Sequence, residues 1–304
     1  MNIKQEQNTA DEWSAKKELA SAWFFTLRDQ ICASFEELED TLSAGPHASR
    51  KAGRFNRKPW DRGQNNEANE TGAILNGGGE ISLMHGRVFE KVGVNVSVVE
   101  GRFSDDFAAA IPGAKESNGQ FWASGISLVA HMQSPLVPAI HMNTRMIITS
   151  KHWFGGGTDL NSMIEFQRDT ADFHQALKKC CDRHNPDYYP EYKEWCDRYF
   201  YNQHRKAPRG VGGIFYDYLD SGSWDDDFNF TKDVGITFDT IYPALVKRHY
   251  NKDWTEEQRE IQLIKRGHYA EFNLVYDRGT QFGLKTGGNT EAILMSLPPI
   301  AKWP

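Results

Sequence analysis

Residues 123–149 read ASGISLVAHMQSPLVPAIHMNTRMIIT. Two β-rich runs, 121–132 and 139–149, are separated by Ser134-Pro135 and Pro138, residues that end strands and make turns. Side chains on a strand alternate between its two faces. His141, Asn143 and Arg145 therefore share one face, and Met142, Thr144 and Met146 share the other. The earlier run sets Ser127, Val129 and His131 together in the same way. Strands that follow one another as neighbouring runs, without a helix between them, predict an antiparallel sheet rather than a doubly wound parallel one.

The rest of the chain extends this pattern. Residues 87–99 are rich in valine and read as a further strand. Residues 14–40 predict an amphipathic helix, with Leu19, Trp23, Leu27, Ile31 and Phe35 recurring every four positions and Gly45-Pro46 ending it. Residues 43–80 are polar, rich in Gly and Asn, and read as loop. Within them Arg50, Lys51, Arg54, Arg57, Lys58 and Arg62 form a basic run, which is either a solvated loop or a lid for an anionic ligand. Helices are predicted over 163–183 and from Tyr189-Pro190 to before Pro208, and a strand over 211–218. An acidic turn over 220–229 leads to a helix over 233–249. Thr255-Glu256-Glu257-Gln258 is a capping box for a helix expected to stop at Arg266-Gly267. A strand over 268–276 and a short helix from Thr290 complete the reading. The expectation is a flexible stretch over 1–13 and one α+β domain over 14–304 with an antiparallel sheet.

Composition narrows the function. Of 304 residues, 39% are hydrophobic and 25% charged, enough to bury a core without crosslinks. Lys plus Arg number 35 against 41 Asp plus Glu, and a net charge of −6 argues against a duplex nucleic-acid partner. Mean hydropathy is −0.63, and no apolar run of membrane-spanning length exists. The opening MNIKQEQNTADEW has neither a secretory signal nor an Arg-rich transit pattern, so a cytoplasmic protein is expected. Cys32, Cys180, Cys181 and Cys196 form no C-x-x-C and read as reduced, buried thiols.

Familiar signatures are missing. No histidine opens H-E-x-x-H, and none has Asp or Glu two residues later. The run from Gly279 to Thr286 breaks the spacing of a phosphate loop, 210–215 lacks the third glycine of a dinucleotide fingerprint, and no G-x-S-x-G is present. What remains is imidazole, amide and guanidinium on one strand face at 141, 143 and 145. Arg145 can grip a carboxylate with two hydrogen bonds, and His141 can move a proton near neutral pH. Asp277-Arg278 reads as a charge pair where a strand ends at a glycine turn. Gly155-Gly156-Gly157 before Thr158-Asp159 reads as a tight turn or a close approach of backbone to ligand.

Several longer segments then converge. FEKVGVNVSVVEG at 89–101, HMNTR at 141–145, WFGGGTDL at 153–160 and YPEYKEWCDRYFYNQHR at 189–205 are four of them. RGVGGIFYD at 209–217, EFNLVYDRGTQFGLKTGG at 271–288 and TEAILMSLPP at 290–299 continue the series. Together they resemble the oxygen-dependent coproporphyrinogen III oxidases of haem synthesis, over most of the chain.

The resemblance implies a large antiparallel sheet flanked by helices on both faces, in a homodimer. It implies oxidative decarboxylation of the ring A and ring B propionates of coproporphyrinogen III to vinyl groups, with O2 as co-substrate and no obligatory metal or organic cofactor. Position by position, Ser127 matches a substrate-contacting serine and His141 a proton donor. Asn143, Thr144 and Arg145 match a substrate-binding segment, as do Gly287, Gly288 and Asn289, where many members carry arginine in place of Asn289. His131, His141, His174 and His204 match histidines that some bacterial members are described as using for a divalent metal. With a tetracarboxylate ligand in view, Arg145 and Arg278 are suited to anchor it, and Asp159 or Asp277 to take a pyrrole N–H. A tetrapyrrole carrier without turnover and a His-ligated metal oxidase are the rival readings.

Overall fold

The computed structural model describes residues 3–63, 67–69, 72–285 and 288–304. Its strands are β1 (Asn56–Asp61), β2 (Ile74–Met84), β3 (Phe89–Arg102), β4 (Gln120–Met132), β5 (Ala139–Ile148) and β6 (His152–Asn161). A two-residue ribbon of β7 (Tyr201–Asn202) and β8 (Ala207–Pro208) precedes β9 (Gly212–Leu219). The helices are α1 (Ile3–Thr41), α2 (Asp105–Ala108), α3 (Gln167–Asp182), α4 (Tyr188–Tyr199), α5 (Trp224–His249), α6 (Glu256–Val275), α7 (Arg278–Lys285) and α8 (Thr290–Leu294). Seven strands form one sheet in the order β1-β2-β3-β4-β5-β6-β9, every neighbouring pair antiparallel. The α+β architecture expected from the sequence is the one observed.

Alternation along the strands explains why the two faces differ. Most even-numbered positions are apolar: Val92, Val94 and Val96 on β3, Ile126 and Leu128 on β4, and Ile140, Met142 and Met146 on β5. They are buried beneath α1, α3 and α5 in the main core. Odd-numbered positions carry the polar residues and many of the glycines, and α4, α6, α7 and α8 cover this face only in part. Met295 at the end of α8 rests on Gly93, and Phe272 of α6 packs with Phe200 and with Phe215 of β9. Among the described residues no helix is long and apolar enough to cross a membrane.

Five expectations change. The first helix is longer than 14–40, and Leu19 lies on its wet side, 56% exposed. Four-residue spacing overshoots the 3.6-residue turn, so Leu19 is turned about 160° from Phe35. The buried stripe is Ala20, Phe24, Leu27, Ile31, Phe35 and Leu38. Residues 43–80 are not all loop, since β1 and most of β2 fall there. Gly77 and Gly79 disguise β2, yet a Cβ at either would come within 2.2 Å of a β3 carbonyl oxygen, so the tight pairing demands glycine. WFGGGTDL is strand β6 rather than a turn. Residues 268–275 are helical, not a strand, because α6 runs straight through Gly267. There the chain's C-terminal segment crosses so closely that a Cβ would sit 2.6 Å from the Lys302 carbonyl oxygen. The acidic turn is likewise shorter, since α5 begins at Trp224 with Ser223 as its N-cap. The capping box itself is present, with both reciprocal hydrogen bonds.

Candidate active site

Register carries the site's geometry. On the open face Gly79, Ser97, Gly125, Arg145 and Gly155 lie side by side across β2 to β6. The next row is Asn95, Ser127, Asn143, Gly157 and Phe215. The row beyond holds Gly93, Val129, His141, Asp159 and Gly213. Arg145 thus has glycine on either side, and the space over Gly155 is taken by its own guanidinium and by Asp217. Phe200, Phe215, Tyr199 and Phe272 form one aromatic wall. From this wall α7 runs from Tyr199, stacked on Phe215, to Phe282, which packs on Phe107 and Phe103.

A single chain of hydrogen bonds crosses this face, and its direction follows from its ends. A guanidinium has only donors. Arg145 Nη1 donates to Asn143 Oδ1 at 2.8 Å, so the Asn143 amide nitrogen is turned to His141 Nε2, 3.0 Å away. Nε2 must then be the acceptor, the ring proton sits on Nδ1, and Nδ1 donates to Asp159 Oδ1 at 2.8 Å. Arg209 closes the far end, with Nη2 at 2.6 and 2.7 Å from the two Asp159 oxygens. The near end closes on Asp217, whose Oδ2 is 2.9 Å from Arg145 Nη2. Arg209 and Asp159 are only 3% and 1% exposed, and the guanidinium is caged by Phe200, Tyr269 and Phe272.

Burial alone would raise the Asp159 carboxyl, but the Arg209 charge and the His141 hydrogen bond outweigh it and hold it at about 2, against 3.8 for a free aspartate. A carboxyl depressed in the folded state stabilises the fold above about pH 4 and loses that contribution as pH falls towards 2. The shift corresponds to about 2 kcal/mol. Urea unfolding between pH 5 and pH 2 should therefore show a steeper loss of stability in the wild type than in Asp159→Asn; parallel curves would refute the linkage.

These contacts revise two expected roles. Asp159 lies beneath His141 and is fully engaged, so it positions the imidazole instead of facing a pyrrole nitrogen. Thr144 points to the covered face and is fully buried, out of reach of a ligand on the other side. Ser127, His141, Asn143 and Arg145 do share the open face, as the alternation required. Arg209 and Asp217 went unread. The alternation of Gly213, Phe215 and Asp217 along a strand was the available signal for the second.

Asp277 and Arg278 sit at the turn between α6 and α7, not at a strand end. Asp277 Oδ2 accepts from the Thr280 N–H at 2.7 Å, and Oδ1 accepts from the Tyr199 hydroxyl at 3.0 Å. Burial and the Asp277 carboxylate push the Tyr199 hydroxyl up to about 12, so it stays a donor. Arg278 is exposed and lies over the Tyr199 ring, 5.0 Å from its centre. Gly287 lies outside the described residues. Gly288 packs on Gly283, where a Cβ would meet the carbonyl oxygen at 2.6 Å. Asn289 is the N-cap of α8, accepting from the Ala292 N–H at 3.2 Å. Asn289→Arg should cost about 1 kcal/mol of local stability, read as faster amide exchange at Ala292; unchanged exchange would show the cap to be idle.

Three members of the basic run are held in ion pairs. Arg54 meets Asp40, Arg57 meets Asp29, and Lys58 meets Glu291. The four candidate metal histidines are dispersed. His131 is fully buried, held near 3 by burial and the Arg266 charge, and hydrogen-bonded to the Ser296 carbonyl oxygen. His174 is spoken for by Tyr189 and the Val211 carbonyl, and His204 by Tyr276 and Glu271. Among the described residues no three His, Cys, Asp or Glu side chains converge on a point where a metal could sit. The donor set does not fit the metal reading. All four cysteines are buried free thiols.

Residues 20–304 match the sequence model of the family described as coproporphyrinogen III oxidase. An oxygen-dependent coproporphyrinogen-III oxidase from Rickettsia bellii (strain RML369-C) is 54% identical over 287 residues, 94% of this chain and 98% of that one. Those of Rickettsia akari (strain Hartford) and Rickettsia conorii (strain ATCC VR-613 / Malish 7) are 53% and 52% identical over the same shares of each chain.

Proposed function

The chain belongs to the coproporphyrinogen III oxidase family, and from that membership we propose a mechanism for its reaction at the open face of the sheet. The enzyme carries out the oxygen-dependent oxidative decarboxylation of coproporphyrinogen III in haem biosynthesis. In each of two rounds a propionate, one O2 and one proton become a vinyl group, carbon dioxide and hydrogen peroxide. The propionate β-carbon loses hydrogen, the carboxylate carbon leaves as carbon dioxide, and O2 takes up two electrons.

The observation that supports this placing is the unbroken chain from Arg209 through Asp159, His141, Asn143 and Arg145 to Asp217. Arg145 anchors the reacting propionate, since its guanidinium lies four residues along β5 from the His141 imidazole on the same face. Asn143 and Ser127 contact the ligand beside it. His141, held by Asp159 with its proton on Nδ1, accepts a proton at Nε2 and returns it once the Asn143 amide N–H that occupies that lone pair turns to the ligand. Asp277, fixed by Tyr199 and the Thr280 N–H, retains lone pairs for a pyrrole N–H, and Arg278 takes a second propionate. No metal or organic cofactor is assigned a step. We also place the enzyme in the cytoplasm, where its buried thiols stay reduced. A homodimer is part of the same reading, supported by Leu274, Val275, Ile300 and Trp303, each about half exposed.

The test is incubation of the purified, EDTA-treated protein with coproporphyrinogen III, with and without air, the products being resolved as oxidised porphyrins. Oxygen-dependent protoporphyrin is expected. Activity only after added manganese or iron would overturn the cofactor-free mechanism. Binding without product under every condition would indicate a carrier.

A further inference from the structure

One acid on the open face has no assigned task in this chemistry. Asp217 lies on β9 and Arg145 on β5, with β6 between them, yet Asp217 Oδ2 is 2.9 Å from Arg145 Nη2. The pair bridges over Gly155, where a Cβ would lie 2.6 Å from Asp217 Oδ1 and 2.9 Å from Arg145 Nη2. A bulge aims the carboxylate. Between the pairs Gly156–Tyr216 and Phe154–Leu219, the single residue Gly155 faces both Asp217 and Tyr218. Tyr218 has φ +57°, a left-handed conformation that a bulky residue holds only under constraint. Its N–H donates to Asp217 Oδ1 at 3.1 Å. The carboxylate is therefore held by the bulge, not by Arg145 alone, and stays in place if the guanidinium turns away.

We propose that Asp217 is a positioning residue that recaptures Arg145 when the carboxylate of a propionate leaves as carbon dioxide, and so keeps the half-processed tetrapyrrole bound for its second round. The proposal rests on the reading of Arg145 as the anchor of the reacting propionate. A guanidinium has five donors in a rigid fork, so Arg145 can share itself between Asp217 and an incoming carboxylate. Decarboxylation then removes one of the ligand's four charges and leaves an uncharged vinyl group against the half-buried cation. Without an internal counter-ion that cation would be unpaired, and the complex with the tricarboxylate intermediate would be the one destabilised. With Asp217 in place the guanidinium closes back over Gly155 and the site stays neutral.

The test follows how product divides between species during turnover of coproporphyrinogen III. Free and enzyme-bound porphyrins with four, three and two carboxylates are separated after oxidation. Asp217→Asn is expected to raise the released tricarboxylate at least fivefold relative to the dicarboxylate. Gly155→Ala keeps both charges but wedges them apart, and is expected to move the same ratio in the same direction. A purely structural role would lower the total rate and leave the ratio alone, and a wild-type ratio in both variants overturns the proposal. Should turnover be too low to read, fluorescence titration with the unreactive oxidised porphyrins decides. Asp217→Asn should weaken the tricarboxylate about tenfold relative to the tetracarboxylate, and equal weakening of both overturns the proposal. Arg145→Ala separates the two layers. Wild-type affinity for the tetracarboxylate in that variant would remove the anchor reading itself, whereas lost affinity with an unmoved Asp217→Asn ratio would remove only the recapture.

Discussion

Asp159→Asn is expected to lower kcat by on the order of 10²–10⁴-fold and to destabilise the fold by about 3–5 kcal/mol. The change is isosteric, so the effects come from charge and from hydrogen-bond direction. Arg209 is 3% exposed and caged by three aromatic rings, and Asp159 is its buried counter-charge. Removing one partner of such a pair strands the other. The second effect spreads along the face. Arg209 Nε and Nη2 and the Asn161 amide nitrogen all donate to Oδ2, so the new amide's oxygen takes that place and its nitrogen replaces Oδ1, facing His141 Nδ1 and the second Arg209 contact. Nδ1 must then accept, which puts the ring proton on Nε2 and opposes it to the Asn143 amide nitrogen. If Asn143 flips to answer, its nitrogen meets Arg145 Nη1, a donor facing a donor. No orientation satisfies every link. Steady-state kinetics and urea unfolding check both parts. The double variant Asp159→Asn, Arg209→Met should regain stability without regaining turnover, because it removes the stranded charge and leaves the imidazole misoriented. Wild-type turnover in Asp159→Asn would dismiss the relay as a catalytic device.

How much of this was legible depends on how local the signal is. β4 and β5 could be read to within a residue because one face is buried, and burial imposes alternation. The same alternation placed His141, Asn143 and Arg145 together. β2 and β6 were illegible for the opposite reason. Their glycines serve close strand pairing, a requirement set by neighbours and not by their own segment. Residues 268–276 misled because Gly267 resembles a helix stop, and only the crossing of the distant C-terminal segment explains it. The site shows the same division. Asp159 was noticed as a carboxylate near glycines, but its position under His141 follows from the β5–β6 register. Arg209 and Asp217 arrive from the segment that adds β9 to the edge of β6, and no local period encodes that pairing.

Arg145→Ala should raise KM for coproporphyrinogen III by about 10–150-fold, the worth of a charge-assisted, two-pronged hydrogen bond of about 1.5–3 kcal/mol. Two further consequences follow from its neighbours. Asn143 loses the donor that fixes its amide, so the hydrogen bond to His141 Nε2 is no longer directed and kcat falls as well. Asp217 loses its cation and faces the incoming propionates as a like charge. Arg145→Lys should recover little, because an ammonium cannot hold Asn143, Asp217 and a carboxylate in one plane. The informative comparison is Arg145→Ala with Asp217→Asn. If the loss were only that of an anchor, adding the second substitution would leave KM where it was. Because part of the loss is repulsion from the uncovered Asp217, the double variant should bind the substrate several-fold better than Arg145→Ala alone. That non-additivity requires the two side chains to act on the same carboxylate across Gly155, and simple addition of the two effects would separate them.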